Sequence, residues 1–304
     1  MPAPNLALVG ATGAVGRECL AILAQRGFKH GSLRLLASAR SAGTSIAFNG
    51  KQLPVEELGP RSFEGVNIAF FAAGSDTART FAPIAVAAGA TVIDKSSAHR
   101  ADPAVPLVIP EINPEALSPL RSHPGVVAVP NCSTIILLVP INPLRRAFGI
   151  ERIVVSTYQA ASGAGAAAMD ELESQTRTVL GGGPAVPRVF KEPCAFNVFS
   201  HDSTVDPRTG SNGEEAKMAS ETRRIWNDPG IRISATCVRV GVMRGHSESV
   251  NLTLKTPATE KQVREALSAV RQRYEGRDLA GVVMFSDGLD NGRLSSGLSE
   301  PSPG

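Results

Sequence analysis

Short apolar runs and longer amphipathic stretches alternate through the first 95 residues. Leu6 to Val9 reads as a buried strand, and Val15 to Gln25 as a helix that Gly27 stops. Leu33 to Leu36, Val66 to Ala72 and Thr91 to Ile93 read as further strands. A helix lies between Thr77 and Ala88, and its alanines allow close packing on a sheet. After a proline-rich stretch from Pro103 to Pro124, Val126 to Val129 reads as a last strand that runs into Pro130-Asn131-Cys132. This alternation predicts βαβ units and a parallel sheet with helices on both faces, with ligands beyond the carboxyl ends of its strands.

The texture changes near Ile153. Ile153 to Tyr158, Ser234 to Val240, Val250 to Leu254 and Val282 to Phe285 read as strands, several of them alternating apolar and polar. Helices are predicted over Ala166 to Leu180, over Glu214 to Trp226, and from Thr259, where Gln262 completes a capping-box spacing. The Gly/Pro-rich segment Gly181 to Arg188 reads as a surface loop. The expected architecture is α/β: a Rossmann-type parallel-sheet domain over 1–131, then an α+β substrate and dimerisation domain with a mixed or antiparallel sheet over 132–304.

Composition narrows the class. A chain of 304 residues is long enough for two cores, and 42% hydrophobic with 19% charged residues excludes a disordered or collagen-like protein. The run Ile135 to Val139 stops at Pro140, far short of the roughly 20 residues a spanning helix requires. Met1 to Asn5 carries no basic residue and leads straight into a strand, so a cytoplasmic protein is expected. A net charge of +3, with no basic run beyond Arg145-Arg146 and Arg223-Arg224, implies neither a nucleic-acid nor a membrane partner. Cys19, Cys132, Cys194 and Cys237 form no CxxC pair, so free thiols are expected, with neither disulfides nor a metal site.

Three segments carry chemistry. Gly10, Thr12, Gly13, Ala14, Val15 and Gly16 lie between the first strand and the first helix. Glycines there let the backbone approach a pyrophosphate whose charge the helix N-terminus meets. At the end of the second strand, Ser38, Arg40 and Ser41 stand where an NAD enzyme usually places a carboxylate for the ribose hydroxyls, so NADP with its 2′-phosphate is favoured. Cys132 opens a helix at a strand end, where backbone N–H groups would lower its pKa, with Ser133 and Thr134 as candidate caps. Pro140 and Pro143 should make that helix irregular.

Together with Asp94 to Arg100, Val129 to Thr134, Tyr158 to Gly165, Glu214 to Met218, Val238-Arg239-Val240 and His246-Ser247-Glu248, the glycine loop makes the sequence resemble the aspartate-β-semialdehyde dehydrogenases. The resemblance runs in order from Asn5 to about Glu248 and more faintly to Asn291. It implies an enzyme of aspartate-family amino-acid biosynthesis, on the routes to lysine, methionine and threonine. Aspartyl 4-phosphate would be reduced with NADPH to aspartate 4-semialdehyde and phosphate through a cysteine thioester. Cys132 would be the nucleophile, Gln159 an orienting amide and His246 the general acid/base. Arg239 would hold the α-carboxylate, Glu214 the α-ammonium, and Lys217 with Arg100 the phosphate. Gly74, Ser162 and Gly163 would join the cofactor contacts, and the protein would be a homodimer.

Several positions depart from the family pattern: Lys95 where Asn is usual, His99 where an aromatic is usual, Ile136 for Gln, and Gly241 for Pro. Relatives are expected to run past the position of Gly304 with a strand and a helix that this sequence lacks, whereas Ser295 to Gly304 reads as loop. Two other readings stand beside this one. An N-acetylglutamyl-phosphate reductase-like enzyme would share the cysteine and NADP chemistry, although a carboxylate at Glu214 favours a substrate with a free amine. A catalytically silent NADP-binding protein is the other.

Overall fold

The computed structural model describes residues 2–274. The predicted strand Val282 to Phe285 and the predicted loop Ser295 to Gly304 lie outside them. The first half contains β1 (Leu6–Val9), α1 (Ala14–Gln25), β2 (Leu33–Ala37), β3 (Ser45–Phe48), β4 (Lys51–Glu57), β5 (Ile68–Phe71), α2 (Ser75–Ala87), β6 (Thr91–Asp94) and β7 (Val126–Ala128). They build one seven-stranded sheet in the order β3-β4-β2-β1-β5-β6-β7. All neighbours are parallel except β3 and β4, an antiparallel edge hairpin that the apolar pattern did not predict. Its turn, Asn49-Gly50, has φ of 48° and 76°, a left-handed pair that Asn-Gly adopts at low cost and that matches the twist of paired strands. β4 carries Pro54 and is exposed at most positions, so it gave no apolar run to read.

The second half contains α3 (Cys132–Phe148), β8 (Ile150–Gln159), α4 (Ala166–Leu180), β9 (Val198–Ser200), α5 (Gly213–Ile225), β10 (Arg232–Val240), β11 (Ser247–Leu254) and α6 (Glu260–Tyr274). The sheet order is β11-β8-β10-β9, and the sheet is mixed: β8 and β10 run parallel, while β11 and β9 are antiparallel to their neighbours. The short edge strand β9 was also missed. At α6 the capping box is formed, with Gln262 Oε1 accepting the Thr259 N–H at 2.8 Å. The Gly/Pro-rich loop is tied to α4 where Glu171 Oε2 accepts the backbone N–H groups of Arg188 and Val189.

α3 joins the two halves and stays helical through Pro140 and Pro143, contrary to the expected irregularity. Each proline leaves a carbonyl four residues back without its helical N–H. The buried stripe of Leu137, Leu138, Ile141 and Leu144 holds the helix nonetheless, at about 1.5–3 kcal/mol per fully buried aliphatic side chain. Leu137, Leu138 and Ile141 share a core with Leu107, Ile109 and Ala128 from the first half, and with Ile150, Ile153, Met218 and Trp226 from the second. That common core fixes the start of α3 between the two sheets. Among the described residues, no helix is long and apolar enough to cross a membrane.

Candidate active site

Cys132 is the first residue of α3, just beyond the carboxyl end of β7. The helix cap is Asn131, not Ser133 or Thr134, which lie buried inside the first turn. Asn131 does not cap through its side chain. Its Oδ1 accepts from the Cys132 thiol at 3.5 Å, and its Nδ2 donates to Glu214 Oε1 at 2.6 Å. Its backbone N–H donates to Glu221 Oε2 at 2.7 Å. Gln159, the last residue of β8, places Nε2 3.0 Å from Ser133 Oγ and 3.2 Å from Glu214 Oε1.

Glu214, Lys217 and Glu221 share one face of α5. The Lys217 ammonium lies 3.4 Å from Glu214 Oε2, and Arg100 lies 3.6 Å from Glu221. α5 is set by a capping box in which Asn212 Oδ1 accepts the N–H groups of Glu214 and Glu215, while Glu215 reaches back to the Asn212 N–H. Arg224, one turn beyond Glu221, donates to the carbonyls of Arg100, Asp102 and Val105, so α5 also holds the loop that presents Arg100.

Arg239 and His246 meet at Ala160. The Ala160 carbonyl accepts from Arg239 Nη1 at 3.2 Å, and the Ala160 N–H donates to His246 Nδ1 at 3.0 Å. Because Nδ1 accepts, the neutral imidazole carries its proton on Nε2. Burial, then Arg239, holds the His246 pKa below its ordinary value, with His201 acting the same way and Glu214 opposing. At neutral pH the ring is therefore an uncharged N–H donor. A Cβ at Gly163 would lie 2.9 Å from His246 Cε1 and Nε2, so the glycine makes room for this ring.

The Cys132 thiol reaches solvent, yet its pKa is raised rather than lowered. Desolvation by the surrounding walls comes first and the Glu214 carboxylate second. Hydrogen bonds from Ser133 and the Lys95 ammonium oppose them without prevailing. The helix N-terminus acts in the expected direction, through the Ser133 N–H, and is outweighed. Burial pushes the Glu214 carboxyl up, but Asn131, His201, Lys217 and Gln159 more than offset it, and it stays below the usual carboxylate range.

Residues 5–119 match the family description "Semialdehyde dehydrogenase, NAD binding domain", and residues 141–285 match "Semialdehyde dehydrogenase, dimerisation domain". The chain belongs to the semialdehyde dehydrogenase family. It is 46% identical over 269 residues to an aspartate-semialdehyde dehydrogenase of Synechocystis, covering 88% of this chain and 78% of that one. It is 42% identical over 304 residues to aspartate-semialdehyde dehydrogenase 2 of Vibrio cholerae, covering 98% of this chain and 89% of that one. The crystal structure of Vibrio cholerae aspartate semialdehyde dehydrogenase II complexed with ASA superposes with a TM-score of 0.86 at 43% identity, covering 89% of this chain and 80% of that one.

The loop ahead of α1 fits the NAD-binding assignment. Gly10 has a φ of 82°, and a Cβ there would lie 2.9 Å from the Ala72 carbonyl. At Gly16 a Cβ would lie 2.3 Å from the Gly10 oxygen. Gly13 and Gly74 cap α1 and α2, neither helix has a side-chain cap, and α1 has no acidic residue in its first turn. The first N–H groups of α1 are thus left for an anion. Ser38, Arg40 and Ser41 lie in a turn directly after β2, the first two exposed and Ser41 half-buried. Ser162 and Gly163 lie in a short 3-10 turn, and Gly163 stands against His246 and Arg239.

Four side chains of the site escaped the sequence reading. His201 and Asp202 contact Arg239, Glu221 holds both Asn131 and Arg100, and Arg224 clamps the Arg100 loop. For Glu221 and Arg224 a signal existed, because they continue the helix face of Glu214 and Lys217. His201 and Asp202 sit in a loop with no periodicity to place them.

Proposed function

We propose that this chain is an NADP-dependent aspartate-semialdehyde dehydrogenase. It converts aspartyl 4-phosphate reversibly to aspartate 4-semialdehyde and phosphate through a thioester on Cys132, in aspartate-family amino-acid biosynthesis. The observation that supports this best is the single hydrogen-bonded chain running from the Cys132 thiol through Asn131 to Glu214 and on to Gln159. It puts a nucleophile, an amide and a buried anion around one space, with Arg239 and His246 at its side.

The chemistry follows from these groups. The Cys132 thiol gives its proton to the solvent it reaches, the thiolate attacks the acyl carbon, the carbon–oxygen bond to phosphate breaks, and phosphate leaves toward Arg100 and Lys217. Arg239 takes the substrate carboxylate and Glu214 its ammonium. The loop from Gly10 to Gly16, with Gly74 and Ser162 beside it and Arg40 for the 2′-phosphate, would hold NADP, which would supply or accept the hydride when bound. Once the acyl carbon is reduced, the carbon–sulfur bond breaks and its electron pair returns to Cys132. Between these events the substrate oxygen needs a hydrogen-bond donor and no net proton. His246 Nε2–H fills that role as a neutral donor, a narrower part than the general acid/base the family resemblance implies.

The domain division at Cys132 places the nucleophile at the seam between cofactor and substrate halves. A free-thiol nucleophile suits the reducing cytoplasm, the compartment we propose. Homodimerisation would use the outer face of the second sheet, where Tyr158 is exposed. Light scattering at micromolar concentration should give twice the chain mass. An N-acetylglutamyl substrate would leave Glu214 facing an uncharged amide, which disfavours that alternative.

Mixing the protein with aspartate semialdehyde, phosphate and NADP⁺ should give a phosphate-dependent rise in NADPH absorbance, with NAD⁺ a poorer substitute. A protein that binds NADP and gives no such signal would leave the silent reading standing. The raised Cys132 pKa gives a second test. Iodoacetamide labelling of Cys132 should have its pH midpoint above that of an ordinary cysteine. Glu214→Gln should move the midpoint down, because it removes a nearby anion, and Lys95→Ala should move it up, because it removes a cation. Midpoints that both variants leave unmoved would reject this account.

A further inference from the structure

The segment that follows α4 begins as a Gly/Pro-rich loop and then turns inward at an aromatic ring. Phe190 is 4% exposed and meets Phe199 edge-on, with 6.0 Å between ring centroids. Arg239 Cζ stands over the same Phe190 ring, 5.3 Å from its centroid, and Arg239 is itself buried. Two oxygens set how the guanidinium is turned: the Ala160 carbonyl, 3.2 Å from Nη1, and Asp202 Oδ1, 3.0 Å from Nη2. Phe190 supplies a different constraint, a wall for the cation to rest on. A cation over an aromatic face is attracted by the ring quadrupole, and more strongly where water is excluded.

Two buried side chains of α4, one turn apart, hold this segment on both sides of the ring. Just before it, Glu171 Oε2 accepts the N–H groups of Arg188 and Val189. Just after it, Gln175 Oε1 accepts those of Cys194 and Ala195, at 2.8 and 3.1 Å. Gln175 Nε2 donates to Glu171 Oε1 at 3.0 Å, so the two grips are joined. The end of the segment also lies against β10, where the Val240 carbonyl accepts from the Cys194 thiol at 3.6 Å, and a Cβ at Gly241 would lie 2.8 Å from the Cys194 carbonyl oxygen. A loop that only crossed the surface could leave its N–H groups to water and would need no buried carboxylate to anchor it. What this anchoring fixes in place is one ring beneath one cation.

We propose that Phe190 is a positioning residue for the substrate's carboxylate: it holds the Arg239 guanidinium at the attitude in which that carboxylate binds, and Glu171 and Gln175 hold Phe190 against it. A carboxylate takes two parallel hydrogen bonds from a planar fork only when the fork is correctly tilted, so a guanidinium free to rock loses one of them. The effect falls on binding, because Arg239 grips the end of the substrate away from the carbon that reacts.

This inference rests on the reading of the reaction given above. In the phosphate-dependent assay, Phe190→Leu removes the aromatic face and keeps an apolar side chain. It should raise KM for aspartate semialdehyde about tenfold, the size expected when a desolvated cation loses a ring. The value of kcat and the KM values for phosphate and NADP⁺ should stay nearly unchanged, as for a lost ground-state contact. Phe190→Met should do the same. Gln175→Ala should raise the same KM, and combining it with Phe190→Leu should add little, because both changes act through one ring. Unchanged NADP binding would show that the variants are folded. If KM for aspartate semialdehyde stays put in Phe190→Leu and Phe190→Met, or if kcat and all three KM values worsen together, the inference is overturned and Phe190 is core packing alone. Full additivity in the double variant would overturn the part assigned to α4. A wild-type protein that turns over no aspartate semialdehyde would overturn the reading of the reaction, a failure visible before any variant is made.

Discussion

Replacing Cys132 by alanine should abolish turnover by a factor of about 10⁴ or more while leaving NADP affinity nearly unchanged. Losses of that order accompany removal of a nucleophile whose covalent intermediate cannot be bypassed. Binding should survive because the glycine loop and the starts of α1 and α2 make no use of the sulfur. Cys132→Ser is expected to be nearly as inactive, since an alcohol is far less acidic than a thiol and nothing adjacent is placed to remove its proton: His246 accepts the Ala160 N–H on Nδ1 and carries its proton on Nε2. Fluorescence titration with NADPH and the absorbance assay measure the two quantities separately. Intact-mass analysis of protein quenched during turnover should find the acyl adduct on Cys132 in the wild type and in neither variant. An adduct on a different side chain would refute the mechanism.

Much of this site was legible because its parts lie where chain periodicity changes. The glycine loop sits between a two-residue and a 3.6-residue period, and Cys132 sits where β7 gives way to α3. Gln159, Arg239 and His246 lie at or beside the ends of β8, β10 and β11, and Glu214 and Lys217 share a helix face, so the patterns that located the elements also located the chemistry. Elements without apolar contrast were lost. β3 and β4 form an exposed edge, and β9 is three residues long.

Side-chain competition was also hidden. The helix N-terminus at Cys132 suggested an acidified thiol, but Glu214 comes from 82 residues further along the chain, and only folding brings its charge near the sulfur. Arg239 looked like an open fork because Asp202 and His201 precede it in a loop whose path no periodicity sets. What sequence pattern misses here is consistently the second partner of a buried charge.

Replacing His246 by alanine should lower kcat by about 10²–10³, the usual loss on removing one donor from a developing oxyanion. The informative variant is His246→Gln. If His246 acts as a neutral donor, an amide N–H can replace Nε2–H and recover much of the rate. If it had to shuttle a proton, glutamine would be as inactive as alanine. The pH profile gives the sign independently. Burial and Arg239 hold the His246 pKa below its usual value of about 6.5, so the ring is neutral at pH 7. As pH falls through the lowered pKa, the ring gains a proton on Nδ1 that confronts the Ala160 N–H, and activity is lost on the acid side. Stability follows the same direction. Below the unfolded pKa the unfolded chain binds a proton that the folded one resists, so folding weakens as pH falls. His201 is also held below its ordinary value, by burial first and Arg239 next, so the acid limb has two candidate owners. A limb absent in His246→Gln belongs to His246. A limb that persists there and vanishes in His201→Gln would transfer the proton-sensitive step to Arg239, whose Nη2 lies 2.9 Å from His201 Nε2 and whose charge a protonated ring would oppose.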